Sequence, residues 1–165
     1  MSQENKNTEI ERKYLLKDNS YLKEATAVHH IRQGFLARGG GRVVRVRLCD
    51  DKGFLTIKTP LNDNAKEPRL AHFEWEREID KQDAIELLGH CLPCIIEKDR
   101  YIVPYGELKV EVDVFHGRNE GLVLAEIELP KEDYHFRKPD FLAEEVTGDK
   151  RYYNSYLSEH PYCED

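Results

Sequence analysis

From residue 9 to residue 128 the chain alternates, and what alternates is charge. Glu9, Glu11 and Lys13 occupy every second position, with Ile10 between the acids. The period recurs in Arg45 and Arg47 against Val44, Val46 and Leu48, and in Thr56 and Lys58 against Leu55 and Ile57. It recurs again in Glu74, Glu76 and Glu78 against Phe73, Trp75 and Ile79, and in Lys109, Glu111 and Asp113 against Leu108, Val110, Val112 and Val114. Glu126 and Glu128 close the series against Ala125, Ile127 and Leu129. Successive side chains of a strand point to opposite faces, and alternate ones share a face about 7 Å apart. The pattern therefore predicts strands, each with one apolar and one ionic face.

About eight such strands are expected, joined by short turns at Gly39–Gly41, Asp51–Gly53, Pro104–Gly106 and His116–Gly121. His29–Arg38 supplies the second strand, with Arg32 on one face and Ile31 and Phe35 on the other. Lys98 and Arg100 alternate with Asp99 and Tyr101 in another. Residues 60–68 read as a polar loop, and Arg69–Ile79 as the strand after it. Lys81–Leu88 reads as a short helix and Asp149–Leu157 as a second, with Asp149 as its N-cap. No repeat, low-complexity stretch or linker divides the chain. The expectation is one α+β domain, mainly antiparallel β, over residues 1–165, with a core at 8–158 and tails at 1–7 and 159–165.

Such a sheet can close in two ways. Apolar side chains inside make an ordinary small barrel with a charged coat; charged side chains inside make a polar tunnel whose apolar outer face needs cover. The signs favour the tunnel. Bases dominate from Arg32 to Lys58, while acids dominate around Glu76 and Glu126, although the whole chain carries a net charge of −7. A solvated coat has little reason to sort charge by strand, whereas buried charge is tolerated only when paired. An eight-stranded barrel has an interior wide enough for side chains or one small ligand.

A basic wall would bind a compact polyanion, and arginine forks fit phosphate oxygens. An acidic wall beside it would repel that anion unless a divalent cation bridged the two, and such a cation can also activate water. The acidic net charge argues against a nucleic-acid surface. No apolar run nears the roughly 20 residues of a membrane span, and Met1–Asn7 is polar, so a cytoplasmic location is expected. Cys91 and Cys94 form a lone CxxC without a second half, so reduced thiols are the expectation. The seven histidines suggest no ligand cluster and are expected at the surface.

Glu9-Ile10-Glu11-Arg12-Lys13 resembles the ExExK signature of the CYTH domain, in the triphosphate tunnel metalloenzyme superfamily. Ile31–Leu36, Val44–Arg47, Thr56–Lys58, Glu74–Ile79, Glu97–Tyr101, Glu111–Phe115, Leu124–Glu128 and Glu144–Tyr152 with Asn154 follow in the family's order. The resemblance covers nearly the whole chain and is nearest to short bacterial inorganic triphosphatases. It implies an eight-stranded closed tunnel barrel with a charged interior and a few flanking helices. It implies Mg²⁺ or Mn²⁺ and metal-dependent hydrolysis of tripolyphosphate or a small triphosphate, with water attacking the terminal phosphorus to release orthophosphate. Class IV-type adenylyl cyclase, thiamine triphosphatase and non-catalytic polyphosphate or nucleotide binder stay open as alternatives.

By that resemblance Glu9, Glu11, Glu126 and Glu128 would hold metal. Lys13, Arg32, Arg45, Arg47, Lys58, Lys98, Arg100 and Lys150 would hold phosphate, with Lys13, Arg45, Arg47 and Arg100 the catalytic set. Glu76, Glu78 and Asp113 would support them, and a tail helix carrying Lys150 would cap one mouth. Some family members carry Tyr at the position of Phe35, proposed there as partner of the ExExK lysine; Phe35 has no hydroxyl to serve so. The apolar outer face leaves room for a homodimer.

Overall fold

The structure, a computed structural model, describes residues 8–61 and 71–164. The polar N-terminal stretch and most of the loop expected at 60–68 lie outside them. The strands are β1 (Thr8–Leu16), β2 (Ala27–Gly39), β3 (Arg42–Cys49), β4 (Lys52–Pro60), β5 (Ala71–Ile79), β6 (Ile96–Tyr105), β7 (Leu108–Phe115), β8 (Val123–Glu128) and β9 (Leu142–Glu145). The helices are α1 (Lys81–Leu88) and α2 (Asn154–Glu159). Asp80 caps α1 by accepting from the Gln82 amide, which satisfies one free N–H of its first turn.

The strands pair antiparallel in the order β5-β4-β3-β2-β6-β7-β8-β1, and β1 pairs β5 to close the ring. The ninth strand, β9, adds to β1 outside the ring, with Tyr14 opposite Glu145. Register places Arg45 opposite Thr56 and Thr56 opposite Glu76, so β3, β4 and β5 present their ionic rows to one side. On the far wall Arg100 faces Asp113, Glu111 faces Glu126, and Glu126 faces Lys13.

The apolar rows point out of the ring, and the chain covers most of them itself, leaving Val28 and Ile57 exposed. Val103, Val110, Val112, Ala125 and Ile127 pack under Phe141 and Leu142. On the opposite flank Val46 packs against Ala84 and Leu88 of α1. At about 25 cal/mol per Å² of apolar surface removed from water, these two jackets supply much of the driving force that an ordinary barrel finds inside. Gly34 belongs to this outer packing: a Cβ there would meet the Ile95 side chain at 2.6 Å and Cys91 at 2.8 Å. Gly34→Ala is expected to cost about 1–3 kcal/mol by overpacking, checked by denaturant unfolding. Among the described residues no helix is long and apolar enough to cross a membrane.

The interior is not polar throughout. At one end Ile96, Phe115 and Leu124 project inward and pack on Leu157 of α2, forming a dry stopper. The helix expected over Asp149–Leu157 is broken into a 3-10 turn at Lys150–Tyr152 and α2, and Asp149 caps the turn by accepting from Arg151 N. Beyond α2 the chain remains anchored: the Tyr162 amide donates to Asn119 Oδ1 at 2.8 Å.

Candidate active site

Below the stopper the barrel holds a cavity of about 660 Å³. Glu9, Glu11 and Lys13 of β1, Arg45 and Arg47 of β3, Lys58 of β4, Glu76 of β5, Arg100 of β6, and Glu126 and Glu128 of β8 all line it, and so does Lys150. Strand alternation delivers this convergence: each of these residues except Lys150, which comes from the 3-10 turn, lies on the inward row of its strand.

Two walls emerge. On β3, Arg45 is 9% exposed, and its guanidinium reaches Thr56 Oγ1 at 3.4 Å and Glu76 at 3.8 Å. Its Nε is buried and has no hydrogen-bond partner. Arg47 donates to Gln33 Oε1 at 3.2 Å. Burial opposes the charge on both; it brings Arg45 down to about 9, with repulsion from Arg47 next, and Arg47 is lowered too. These are cations held in a cavity without a close bidentate carboxylate.

The opposite wall has surplus acid. Glu11 lies directly across from Glu128, a like-charged pair that costs stability. Burial, then Glu111 and Glu11, raise the Glu128 carboxyl above the ordinary range. Lys58 offsets part of this charge, 3.1 Å from Glu9 and 3.6 Å from Glu11. Burial lowers the Lys58 ammonium, but Glu11 and Glu9 outweigh it and its pKa rises. Lys13 Nζ lies 3.5 Å from Glu126, donates to the Tyr152 carbonyl at 3.0 Å and sits 5.3 Å from the Tyr153 ring. Phe35 has no hydroxyl to offer Lys13; its ring lines the cavity beside Arg38.

Arg100 is the most tightly held base. It grips Asp113 with Nε and Nη2 at 2.7 and 2.9 Å and reaches Glu111 at 2.6 Å. Asp113 also binds Lys98 at 2.8 Å. One carboxylate thus serves two buried cations. Its own pKa falls well below the usual range despite burial, because Arg100 and Lys98 hold it ionised. Lys98 has only a share of that anion, so burial wins and drives its ammonium down to about 8. Lys98 is fully buried, with a hydrogen bond to Asn154 Oδ1 at 3.3 Å. Lys98 and Asp113 therefore stand behind the cavity wall, and any role in substrate binding is indirect.

Three expectations need correction. Arg32 is exposed on the outer face, because the inward row of β2 is Ile31, Gln33 and Phe35, paired with Cys49, Arg47 and Arg45. Arg32→Ala is therefore expected to leave hydrolysis within about twofold and stability within about 0.5 kcal/mol, read from initial rates and melting. The histidines are not all at the surface: His72 lines the cavity opposite Glu9, and burial followed by Lys58 lowers its pKa. Glu78 lies opposite Phe54, exposed and off the cavity wall.

The sequence reading also passed over Gln33 and Arg38. Gln33 is uncharged, so a search for ionic rows misses it. Arg38 reaches the cavity because a bulge between Phe35 and Ala37 reverses the parity of β2. It then donates to Ser158 and Glu159 of α2, fastening that helix over the opening. A charged residue off the expected period, close before Gly39–Gly41, was the one available signal.

Residues 7–155 match the CYTH domain family. The chain belongs to the CYTH family. An inorganic triphosphatase of Acetivibrio thermocellus is 43% identical over 155 residues, covering 93% of this chain and 95% of that protein. An inorganic triphosphatase of Nitrosomonas europaea is 34% identical over 156 residues, covering 92% and 97%. The crystal structure of the inorganic triphosphatase NE1496 superposes with a TM-score of 0.63 at 31% identity, over 91% of this chain and 93% of that one. The CYTH match and the ring closure through β1 and β5 agree on one architecture, a tunnel barrel with its ionic rows inside.

Proposed function

We propose that this protein is a cytoplasmic triphosphatase that hydrolyses inorganic tripolyphosphate, or a comparably small triphosphate, with Mg²⁺ or Mn²⁺. The observation that carries the reading is the pair Arg45 and Arg47, held inside a cavity opposite surplus carboxylates. Cations so placed suit an anion rich in oxygen, and a compact polyphosphate supplies that in the available volume.

The acidic wall fits a divalent cation. Glu9, Glu11, Glu126 and Glu128 offer hard oxygen donors from two paired strands, and the Glu128 carboxyl is raised by burial first and then by the neighbouring charges of Glu111 and Glu11. When bound there, the cation would neutralise phosphate charge and make a nearby water more acidic. The chain's own groups do the rest. Arg45, Arg47 and Lys58 hold non-bridging oxygens along the phosphate chain, and Lys150 adds charge from the α2 side. Arg100, locked by Asp113 and Glu111, offers a guanidinium that needs little reorientation as charge grows in the transition state. Water attacks the terminal phosphorus in line; the bridging P–O bond breaks, and orthophosphate leaves with pyrophosphate as the other product. Lys13, packed on Tyr153, is placed to stabilise the charge on the departing oxygen.

The test is a phosphate-release screen over tripolyphosphate, ATP, thiamine triphosphate and pyrophosphate, with Mg²⁺ and Mn²⁺ separately. Orthophosphate from tripolyphosphate, abolished by a chelator, is the expected result. Tripolyphosphate bound and returned intact would leave a binding module, and cyclic AMP with pyrophosphate from ATP would make it a cyclase.

A further inference from the structure

At the end of the barrel where β2 begins and β3 finishes, three side chains of different chemistry meet away from the acidic wall. They are His29 on β2, Cys49 at the last position of β3, and Asp50 in the turn that follows. One ligand atom from each, an imidazole nitrogen, a sulfur and a carboxylate oxygen, lies within 4.8 Å of the other two. Asp50 is set rigidly for this meeting. Its backbone is left-handed, with φ 52. Its amide donates to the His30 carbonyl at 2.9 Å, and its Oδ1 accepts from the His30 amide at 2.9 Å. That leaves Oδ2 turned to His29 Nδ1, 2.7 Å away. Cys49 continues the inward row of Arg45 and Arg47, opposite Ile31 of β2. Burial, then Asp50, raises its thiol pKa, with Arg47 and Arg100 opposing.

The set differs in kind from the carboxylates of the cavity. Glu9, Glu11, Glu126 and Glu128 suit a hard cation such as Mg²⁺. Nitrogen, sulfur and oxygen together suit zinc and its spectroscopic substitute cobalt. Bonds of about 2.0–2.3 Å in a tetrahedron put ligand atoms about 3.3–3.6 Å apart. The present spacings bracket that range, 2.7 Å from His29 Nδ1 to Asp50 Oδ2 and none above 4.8 Å, with the backbone held by the His30–Asp50 pair of hydrogen bonds. We propose that His29, Cys49 and Asp50 form a second metal site, for a thiophilic divalent cation of the zinc class. The protein supplies three ligands and leaves the fourth position open. The assignment stands apart from the hydrolytic reading, since it uses none of the cavity acids.

The test is a Co²⁺ titration of the full chain, with excess Mg²⁺ present to occupy hard carboxylate sites. A thiolate-to-cobalt charge-transfer band with the visible bands of tetrahedral cobalt is expected, reaching its limit at one equivalent and displaced by Zn²⁺. The band should survive the triple variant Cys91→Ser, Cys94→Ser, Cys163→Ser, vanish in Cys49→Ser, and need at least tenfold more Co²⁺ in His29→Ala. Alkylation of the unmutated chain gives an answer that does not depend on a variant folding: Zn²⁺ should slow modification of Cys49 at least tenfold, read by peptide mass. No band, a band lost with Cys91 and Cys94 instead, or Cys49 alkylated equally fast with zinc would each overturn the proposal.

Discussion

Glu126→Gln and Glu128→Gln each cut orthophosphate release from tripolyphosphate on the order of 100-fold or more, an expected loss of about 3 kcal/mol of transition-state stabilisation. Either change removes one hard oxygen ligand from the acidic wall, and the amide left behind carries no charge to hold a divalent cation. Glu126 also stands between Lys13 at 3.5 Å and Arg100 at 4.0 Å, so its loss loosens the bases that face the phosphate. Stability separates a functional role from a structural one. The Glu128 carboxyl has a folded pKa above its unfolded value, because of burial and then Glu111 and Glu11. Such a group costs stability once the pH passes its folded pKa. Glu128→Gln should therefore melt no lower than the parent near neutral pH while losing activity. Full activity in both variants would remove the metal assignment.

The second large effect is on the fold. Asp113→Asn is expected to cost about 3–5 kcal/mol, because it leaves Lys98 and Arg100 charged and buried without their shared anion. In a chain of this size that lowers Tm by roughly 10 °C. The pH dependence follows from the sign of the shift. The folded pKa of Asp113 lies below its unfolded value of about 3.9, so its contribution is complete above about pH 4. It fades as the pH falls toward the folded pKa. Melting curves from pH 7 down to pH 3 should show the parent losing stability in acid more steeply than Asp113→Asn. A stability difference under about 1 kcal/mol at pH 7 would mean that the triad is not the keystone its geometry implies.

How much of this could be read before the fold was known depends on the strand. On β1, β3, β4, β5, β7 and β8 the ionic row is continuous, and every predicted inward residue except Glu78 and Lys109, both exposed, turns toward the cavity or its supporting layer. On β2 the rule fails. Arg32 is the only charge in its middle, and the inward row is Ile31, Gln33 and Phe35, which a search for charge reads as the outside. A strand at period two says which residues share a face, but not which face is in; the neighbours decide, and for β2 those are Arg45 and Arg47. The bulge before Ala37 adds a local backbone choice with no residue type that announces it. The meeting of His29 with Cys49 depends on β2–β3 register, which places residues 20 apart side by side.

The oily layers of this molecule lie outside its staves, and the last quarter of the chain helps to provide one of them. A protein ending just after Glu128 would keep all eight ring strands and nearly every ionisable group of the cavity wall. It would also lay bare the backs of β6, β7 and β8, where Phe141 and Leu142 now rest. Such a shortened form should be sticky in water despite an intact ring, since here the binding pit and the grease that keeps it standing are separate fabrics on opposite sides of one sheet.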